Sequence, residues 1–207
     1  MKGLHQHKHI FNCASLLCLL VTSHSLASDT CPANELFPDV MFPEVTFETT
    51  MGNIVVELDR QKAPATVNHF LYHLNSKALD DNMVHRVVKD YVIQTAAFKS
   101  DGSEVKSCGN VMNESGNGLK NNQGTIAMAR YNDPHSASTS FYFNMKDNNN
   151  LDPNPKGWGY TVFGLVIEGM DILQKINNEP VEYNKKIDAP TVPVVPITIK
   201  KVTLNNE

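Results

Sequence analysis

Short stretches in which apolar and polar residues alternate dominate this chain, and they predict β-strands. The first stretch, 45–58, alternates on both sides of Gly52-Asn53, a residue pair typical of a tight hairpin turn, and so predicts two strands. Further apolar runs, rich in β-branched and aromatic residues, predict one strand each at 83–88, 91–95, 124–129, 140–145, 160–167 and 196–204. The pattern therefore predicts about eight short strands.

Two other segments have the spacing of helices. In 63–74, Pro64 suits the first turn of a helix, where its missing N–H costs nothing, and apolar residues recur every three or four positions after it. The segment 169–176 places Met170, Leu173 and Ile176 on one helical face. With the strands, these segments predict a mainly β fold: a closed eight-stranded antiparallel β-barrel capped by two α-helices.

The first 27 residues have the pattern of a secretory signal peptide. Lys2 and Lys8 precede an apolar stretch at 10–21, and Ser25-Leu26-Ala27 offers the small residues that a signal peptidase recognises. We expect cleavage near Ala27, export to the periplasm and no membrane association after cleavage. Residues 28–43 contain three prolines and no hydrophobic period, which predicts an extended N-terminal arm before a single domain at 44–205.

Charge and cysteine content narrow the classes of partner. The net charge of −4 becomes −6 once Lys2 and Lys8 leave with the signal, and an acidic chain is a poor ligand for nucleic acid. The same cleavage leaves two cysteines, Cys31 and Cys108. In an oxidising compartment these two can form a disulfide, and two unpaired thiols are the alternative.

The strand predicted at 83–88 contains an arginine, Arg86, among β-branched residues. A guanidinium in such a run keeps its charge and needs partners, and Gln94, Arg130 and two aromatic clusters follow it along the chain. An arginine held over an apolar pocket can support chemistry that needs no nucleophile. A purely structural arginine is the alternative.

Several motifs then occur in an order that identifies a family. They are Ala63-Pro64 with Thr66-Val67, His85-Arg86-Val87, Gln94, the segment 124–130, the segment 140–144 and the segment 160–164. In this order they resemble the cyclophilin-type peptidyl-prolyl cis/trans isomerases, and most closely the exported cyclophilins of Gram-negative bacteria. The resemblance covers about 45–204 and implies the barrel with two helices that the periodicity predicts.

The resemblance implies an enzyme that rotates X–Pro bonds and assists the folding of exported proteins. The barrier of about 18–20 kcal/mol comes from amide resonance, and no bond is broken, so no cofactor, metal or nucleophile is expected. By resemblance Arg86 is the catalytic residue, and we expect a monomer that binds proline-containing peptides or unfolded exported proteins. The implied substrate-binding residues are Tyr91, Val92, Gln94, Ala129, Arg130, Tyr142, Leu151 and Tyr160.

Some positions depart from the family pattern. Lys89-Asp90-Tyr91 stands where the family has Pro-Gly-Phe, Thr95-Ala96 replaces a Gly-Gly pair, and Ser140 replaces a glutamine. Because Arg86 and Gln94 persist, we expect an active enzyme with reduced or narrowed activity. The alternative is a catalytically weak module that binds proline-containing segments as a chaperone or scaffold.

One histidine pair has the spacing of metal ligands. His69 and His73 lie four residues apart on the first predicted helix, as zinc ligands can. Phe70 occupies the position at which the metalloprotease signature has its glutamate. The sequence therefore favours a packing role for the pair.

Overall fold

The computed structural model describes Leu36 and residues 39–205. The predicted signal peptide, most of the predicted arm and Cys31 lie outside these residues. Within them the chain forms ten β-strands, two α-helices and two 3-10 turns. The strands are β1 (Glu44–Thr49), β2 (Gly52–Leu58), β3 (Asn82–Val88), β4 (Val92–Lys99), β5 (Thr125–Met128), β6 (Phe141–Asn144), β7 (Val162–Glu168), β8 (Val181–Asn184), β9 (Ala189–Pro193) and β10 (Thr198–Leu204).

Eight of these strands close into a barrel in the order β1-β10-β3-β4-β6-β5-β7-β2, and every neighbouring pair is antiparallel. The helices are α1 (Pro64–Asn75) and α2 (Met170–Asn177), and the 3-10 turns are Ser115–Asn117 and Asn149–Leu151. The predicted fold class, an eight-stranded antiparallel barrel with two helices, is confirmed. Strand β4 is longer than predicted, because it continues past Thr95 to Lys99, which pairs with Asn82.

The hairpin formed by β8 and β9 was not predicted from the sequence. Val181 and Tyr183 alternate with polar residues in β8 but are exposed, so this short alternation does not mark a strand that faces the core. Ala189 and Val192 of β9 are buried and pack with Met83 of β3. The hairpin therefore packs against the barrel as a separate two-stranded sheet and is not one of the barrel strands.

A cluster of phenylalanines fills the barrel interior. Phe47, Phe70, Phe141 and Phe143 are at most 3 % exposed, and the centroids of their contacting rings lie 5.7 to 6.1 Å apart. Such tilted and edge-on contacts are the favoured arrangements of aromatic rings. Phe70 comes from α1, so this cluster also fixes that helix to the barrel end.

Hydrogen bonds between distant segments attach α1 and the arm to the rest of the fold. The Glu114 carboxylate accepts hydrogen bonds from the backbone N–H groups of Ala65 (3.1 Å) and Thr66 (2.8 Å), which lie in the first turn of α1. This carboxylate satisfies donors that the helix leaves unpaired and complements the positive end of its dipole. Arg60 donates to the carbonyls of Val40 and Leu36 and so attaches the described part of the arm to the barrel.

Among the described residues no helix is both long enough and apolar enough to cross a membrane.

Candidate active site

A second apolar cluster lies apart from the barrel core, on four adjacent strands. Its buried members are Val92 of β4, Tyr142 of β6, Ala127 of β5 and Val162 of β7. Strand pairing places them side by side, because Tyr142 is opposite Ala127, and Ala127 is opposite Val162. Partly buried residues pack around this row, and they include Tyr91, Ala129, Leu151 and Tyr160.

The structure thus brings together six of the eight substrate-binding residues that the family resemblance implied, and they form one apolar patch. Residues 91 and 160 meet there although they are far apart in sequence. The two remaining predicted residues, Gln94 and Arg130, lie at its edge and contact it through polar groups. Gln94 pairs with Tyr142 across the sheet, and the Arg130 guanidinium carbon lies 4.6 Å from the centroid of the Tyr160 ring.

Arg86 lies on β3 directly opposite Gln94 on β4. The pairing of these strands shifts register between Val84 and Arg86, and such irregularities re-aim side chains beside many active sites. Val84 and Val87 are buried, whereas the Arg86 side chain is only half-buried. The sequence had predicted a buried guanidinium, so this expectation is corrected: β3 is buried, but its arginine reaches the outer face.

Among the described residues, the Arg86 side chain makes one hydrogen bond, from Nη1 to Oε1 of Gln94 at 3.3 Å. A guanidinium has five N–H donors, so most of them remain open to a ligand. Gln94 is itself held in place, because its Nε2 donates to Oγ of Ser140 (3.2 Å) and that hydroxyl donates to the carbonyl of Thr95 (2.9 Å). The amide oxygen of Gln94 is thereby directed at Arg86.

Ser140 was noted in the sequence only as the loss of a glutamine. The structure shows that its hydroxyl orients Gln94, a role that depends on the pairing of β4 with β6. No signal in the local sequence predicts this contact, because the two residues are brought together only by the barrel.

The hydroxyl groups that distinguish this pocket from the family pattern both have partners. The hydroxyl of Tyr142 donates to Oδ1 of Asn121 at 2.8 Å, and burial raises the pKa of Tyr142 well above its usual value. The hydroxyl of Tyr91 accepts from Nδ2 of Asn150 at 3.2 Å. Since neither hydroxyl is left unpaired, both rings can contribute their apolar faces to a ligand.

A row of buried asparagines supports the pocket from behind, and sequence reasoning missed it. Asn144 donates to Oδ1 of Asn121 (3.2 Å) and accepts from Asn148 (2.8 Å), which also donates to the backbone carbonyl of Tyr91 (3.0 Å). Asn121 and Asn148 are at most 1 % exposed, and these bonds satisfy amide groups that would otherwise be costly to bury, whereas Oδ1 of Asn148 has no partner among the described residues. The density of asparagines at 144–150 is the available signal in the sequence, but it does not show which of them bond to one another.

Arg130 has a different environment from Arg86. Its guanidinium donates to four backbone carbonyls, those of Gly159 (3.1 Å), Tyr131 (2.8 Å), Asn132 (3.5 Å) and Trp158 (2.8 Å). It also lies over the Tyr160 ring, in a cation–π contact. Arg130 therefore holds two loops together at the pocket edge, and its donors are engaged.

A cavity of about 230 Å³ adjoins the pocket and is lined by Gln94, Ala129, Arg130 and Ser140 together with Tyr131 and Glu104. The apolar patch and this cavity share Ala129, and Gln94 and Arg130 border both of them. A bound chain that continues past the pocket can extend into it.

Two substituted positions keep the backbone conformation that glycine favours. Asp90 has φ of 55° and Ala96 has φ of 62°, both in the left-handed region. Aspartate tolerates this region, whereas alanine is strained there by about 1–2 kcal/mol. Asp90 is also anchored to α2, because its carboxylate accepts from Nδ2 of Asn177 at 3.0 Å.

Cys108 is disulfide-bonded. Its predicted partner, Cys31, lies outside the described residues, so the pairing of these two cysteines stays a prediction.

Comparison with known proteins gives a consistent result. A family model described as cyclophilin type peptidyl-prolyl cis-trans isomerase matches residues 44–204. The chain is 40 % identical over 163 residues to a peptidyl-prolyl cis-trans isomerase of Streptomyces antibioticus, covering 77 % of this chain and 97 % of the relative. It is 34 % identical over 188 residues to one of Acinetobacter baylyi, covering 90 % and 93 %.

Solved structures show the same architecture. A crystal structure of a cyclophilin-type peptidyl-prolyl cis-trans isomerase of Cryptosporidium parvum matches with a TM-score of 0.66 at 21 % identity, covering 80 % of this chain and 99 % of that one. A second crystal structure of the same protein, in the presence of the dipeptide Ala-Pro, matches with a TM-score of 0.65.

Proposed function

Because this chain belongs to the family of cyclophilin-type peptidyl-prolyl cis-trans isomerases, it is an isomerase of X–Pro bonds, and we propose that Arg86 is its catalytic residue. The observation that carries the proposal is the Arg86 guanidinium, which is held by one long hydrogen bond at the rim of an apolar patch and has donors to spare. The apolar patch is the binding site for the proline ring.

The chemistry needs little beyond this arrangement. In a planar X–Pro amide the nitrogen lone pair is delocalised into the carbonyl, and this resonance opposes rotation. As the amide twists, the lone pair returns to the prolyl nitrogen and can accept a hydrogen bond. A donor placed there stabilises the twisted state more than either planar state, and this difference lowers the barrier. Arg86 supplies that donor.

Gln94 and Ser140 have supporting roles in this proposal. The hydrogen bond from Arg86 to Gln94 restricts the orientation of the guanidinium, and the bond from Gln94 to Ser140 fixes the side-chain amide of Gln94. A preorganised donor does not have to reorganise when the amide twists, so it is more effective than a mobile one.

The substrates that fit the patch are proline-containing peptides or unfolded chains. The related protein crystallised in the presence of Ala-Pro supports this class of ligand. We further propose that the clients are exported proteins in the periplasm, that the chain acts as a monomer, and that residues 1–27 direct its export. The support for export and for periplasmic clients is the N-terminal pattern of charge and hydrophobicity. The monomer follows from the resemblance to the family.

The test is the isomerisation of a short Xaa-Pro peptide by wild type and by Arg86→Ala. We expect kcat/KM to fall at least about tenfold in Arg86→Ala, which corresponds to about 1.4 kcal/mol of barrier. Lys200→Ala, at an exposed position of β10, is the control and should retain wild-type activity. A folded Arg86→Ala variant with wild-type kcat/KM would refute the role of Arg86.

A further inference from the structure

Three side chains able to bind a metal meet outside the proline pocket. They are His69 and His73 of α1 and Cys108 of the loop between β4 and β5, and their ligand atoms lie within 4.8 Å of one another. The two imidazole rings are 4.5 Å apart between centroids. From the sequence, the pair at i and i+4 offered only two ligands, whereas the fold adds a third.

Hydrogen bonds fix which nitrogen of each ring has a lone pair. Nδ1 of His73 lies 2.8 Å from the carbonyl oxygen of His69, and Nε2 of His69 lies 2.6 Å from the carbonyl oxygen of Ser138. A carbonyl oxygen only accepts, so each of these nitrogens carries the proton. The lone pairs are then on Nε2 of His73 and Nδ1 of His69. Histidines that bind metals commonly donate their other N–H to a carbonyl in this way.

The distances suit a tetrahedral cation. Nε2 of His73 lies 3.5 Å from Sγ of Cys108. In a tetrahedral zinc site, with Zn–N of about 2.0–2.1 Å and Zn–S of about 2.3 Å, the nitrogen and the sulfur are about 3.5 Å apart. The distance between these two ligand atoms therefore already suits a cation, which would replace the hydrogen bond that Nε2 of His73 accepts from the backbone N–H of Cys108 at 3.4 Å. His69 must approach by at most about 1.4 Å, which side-chain rotation can supply.

The third ligand depends on the redox state of the chain. Cys108 is disulfide-bonded, and a sulfur in a disulfide is not a thiolate ligand. A cavity of about 490 Å³ opens beside it, lined in part by His73, Cys108, Lys99 and Lys106. The cavity gives a cation a path to the sulfur.

We propose that reduction of the Cys108 disulfide creates a binding site for a thiophilic divalent cation such as Zn²⁺, with Cys108 Sγ, His73 Nε2 and His69 Nδ1 as ligands and water in the fourth position. A dithiol supplies the two electrons and two protons, and it becomes a disulfide while the two protein sulfurs become thiols. The cation then displaces the Cys108 proton into solvent. Because both states use the same sulfur, the disulfide and the metal site exclude each other.

The test uses Co²⁺ as a spectroscopic probe on the chain from residue 28 onward, which keeps every described element. This chain contains only Cys31 and Cys108, so Cys31→Ser and Cys108→Ser each leave a single thiol and no disulfide within the chain. This matched pair separates the effect of opening the disulfide from the effect of the ligand sulfur.

We expect Cys31→Ser, and reduced wild type, to bind one Co²⁺ with a sulfur-to-metal charge-transfer band that Zn²⁺ abolishes. Oxidised wild type and Cys108→Ser should show no such band. In the Cys31→Ser background, His73→Ala should weaken Co²⁺ binding at least about tenfold, since it removes one of three ligands. The proposal fails if folded, reduced wild type shows no band, or if Cys108→Ser shows the same band.

Discussion

The two arginines at the proline pocket, Arg86 and Arg130, differ in how many of their donors are engaged. Arg130 donates to four backbone carbonyls and lies over Tyr160, so its position is fixed by the loops that it joins. Arg86 makes one hydrogen bond, at 3.3 Å, among the described residues. Charge alone therefore does not identify the catalytic group. An arginine that is held in position but has open N–H donors can bind a substrate whose amide twists. An arginine whose donors are all engaged stabilises the structure of the site.

The largest expected effect is on kcat/KM, and replacing each arginine by lysine distinguishes the roles of Arg86 and Arg130. Arg86→Lys keeps the charge but loses the planar set of donors, and we expect kcat/KM for an Xaa-Pro peptide to fall about a hundredfold. Arg130→Lys should lower kcat/KM only about threefold and should mainly lower the free energy of unfolding, by about 1 kcal/mol. Peptide isomerisation and urea unfolding measure both. Equal losses of kcat/KM in the two variants would contradict the distinction.

The next effect concerns pH, because Arg86 adjoins a buried histidine. Burial first, and the charge of Arg86 second, lower the pKa of His85 from 6.5 to about 4. Between these values the unfolded chain binds more protons than the folded chain, so the stability is fully present above pH 6.5 and is lost as the pH falls towards 4. We expect a loss of about 3 kcal/mol in the free energy of unfolding from this residue.

Urea unfolding at several pH values between about 7 and 4 measures this loss. Arg86→Ala removes the second cause, so the pKa of His85 should rise and the loss should become smaller. Arg130→Ala should leave the pH dependence as in wild type. If His85→Phe loses stability over this range as steeply as wild type does, His85 is not the source.

A smaller effect tests whether the orientation of Gln94 matters to Arg86. Ser140→Ala removes the hydroxyl that accepts from Nε2 of Gln94, so the amide is freer to turn away from the guanidinium. We expect kcat/KM to fall about threefold, or about 0.7 kcal/mol of barrier. Ser138→Ala, two residues earlier, is the matched control and should keep wild-type kcat/KM.

The smallest effect concerns the backbone of β4 beside the site. Ala96→Gly should raise the free energy of unfolding by about 1 kcal/mol, because glycine removes the strain of the left-handed conformation. Asp90→Gly should instead lower it by about 0.5–1 kcal/mol, because aspartate tolerates that conformation and its bond from Asn177 is lost. Thermal unfolding of both variants checks the opposite signs.

The sequence predicted the barrel well because its strands have clear alternation and its helices have clear spacing. The pocket residues followed from family motifs, and the structure collects them in one place. Other features depend on tertiary pairing that no local pattern reports. The hydrogen bond between Ser140 and Gln94 needs the register of two strands. The approach of Cys108 to His73 joins a long loop to α1. The β8–β9 hairpin is a further example, because the apolar residues of β8 are exposed and do not mark a buried face.

The central claim is that Arg86 acts on the twisted amide rather than on peptide binding. The most direct measurement compares the dissociation constant of a proline-containing peptide with its rate of interconversion on the enzyme, by NMR, for wild type and Arg86→Lys. We predict that the dissociation constant changes less than about threefold while the interconversion rate falls about a hundredfold. A parallel loss of binding and interconversion would show that Arg86 binds both states equally, and would contradict the account.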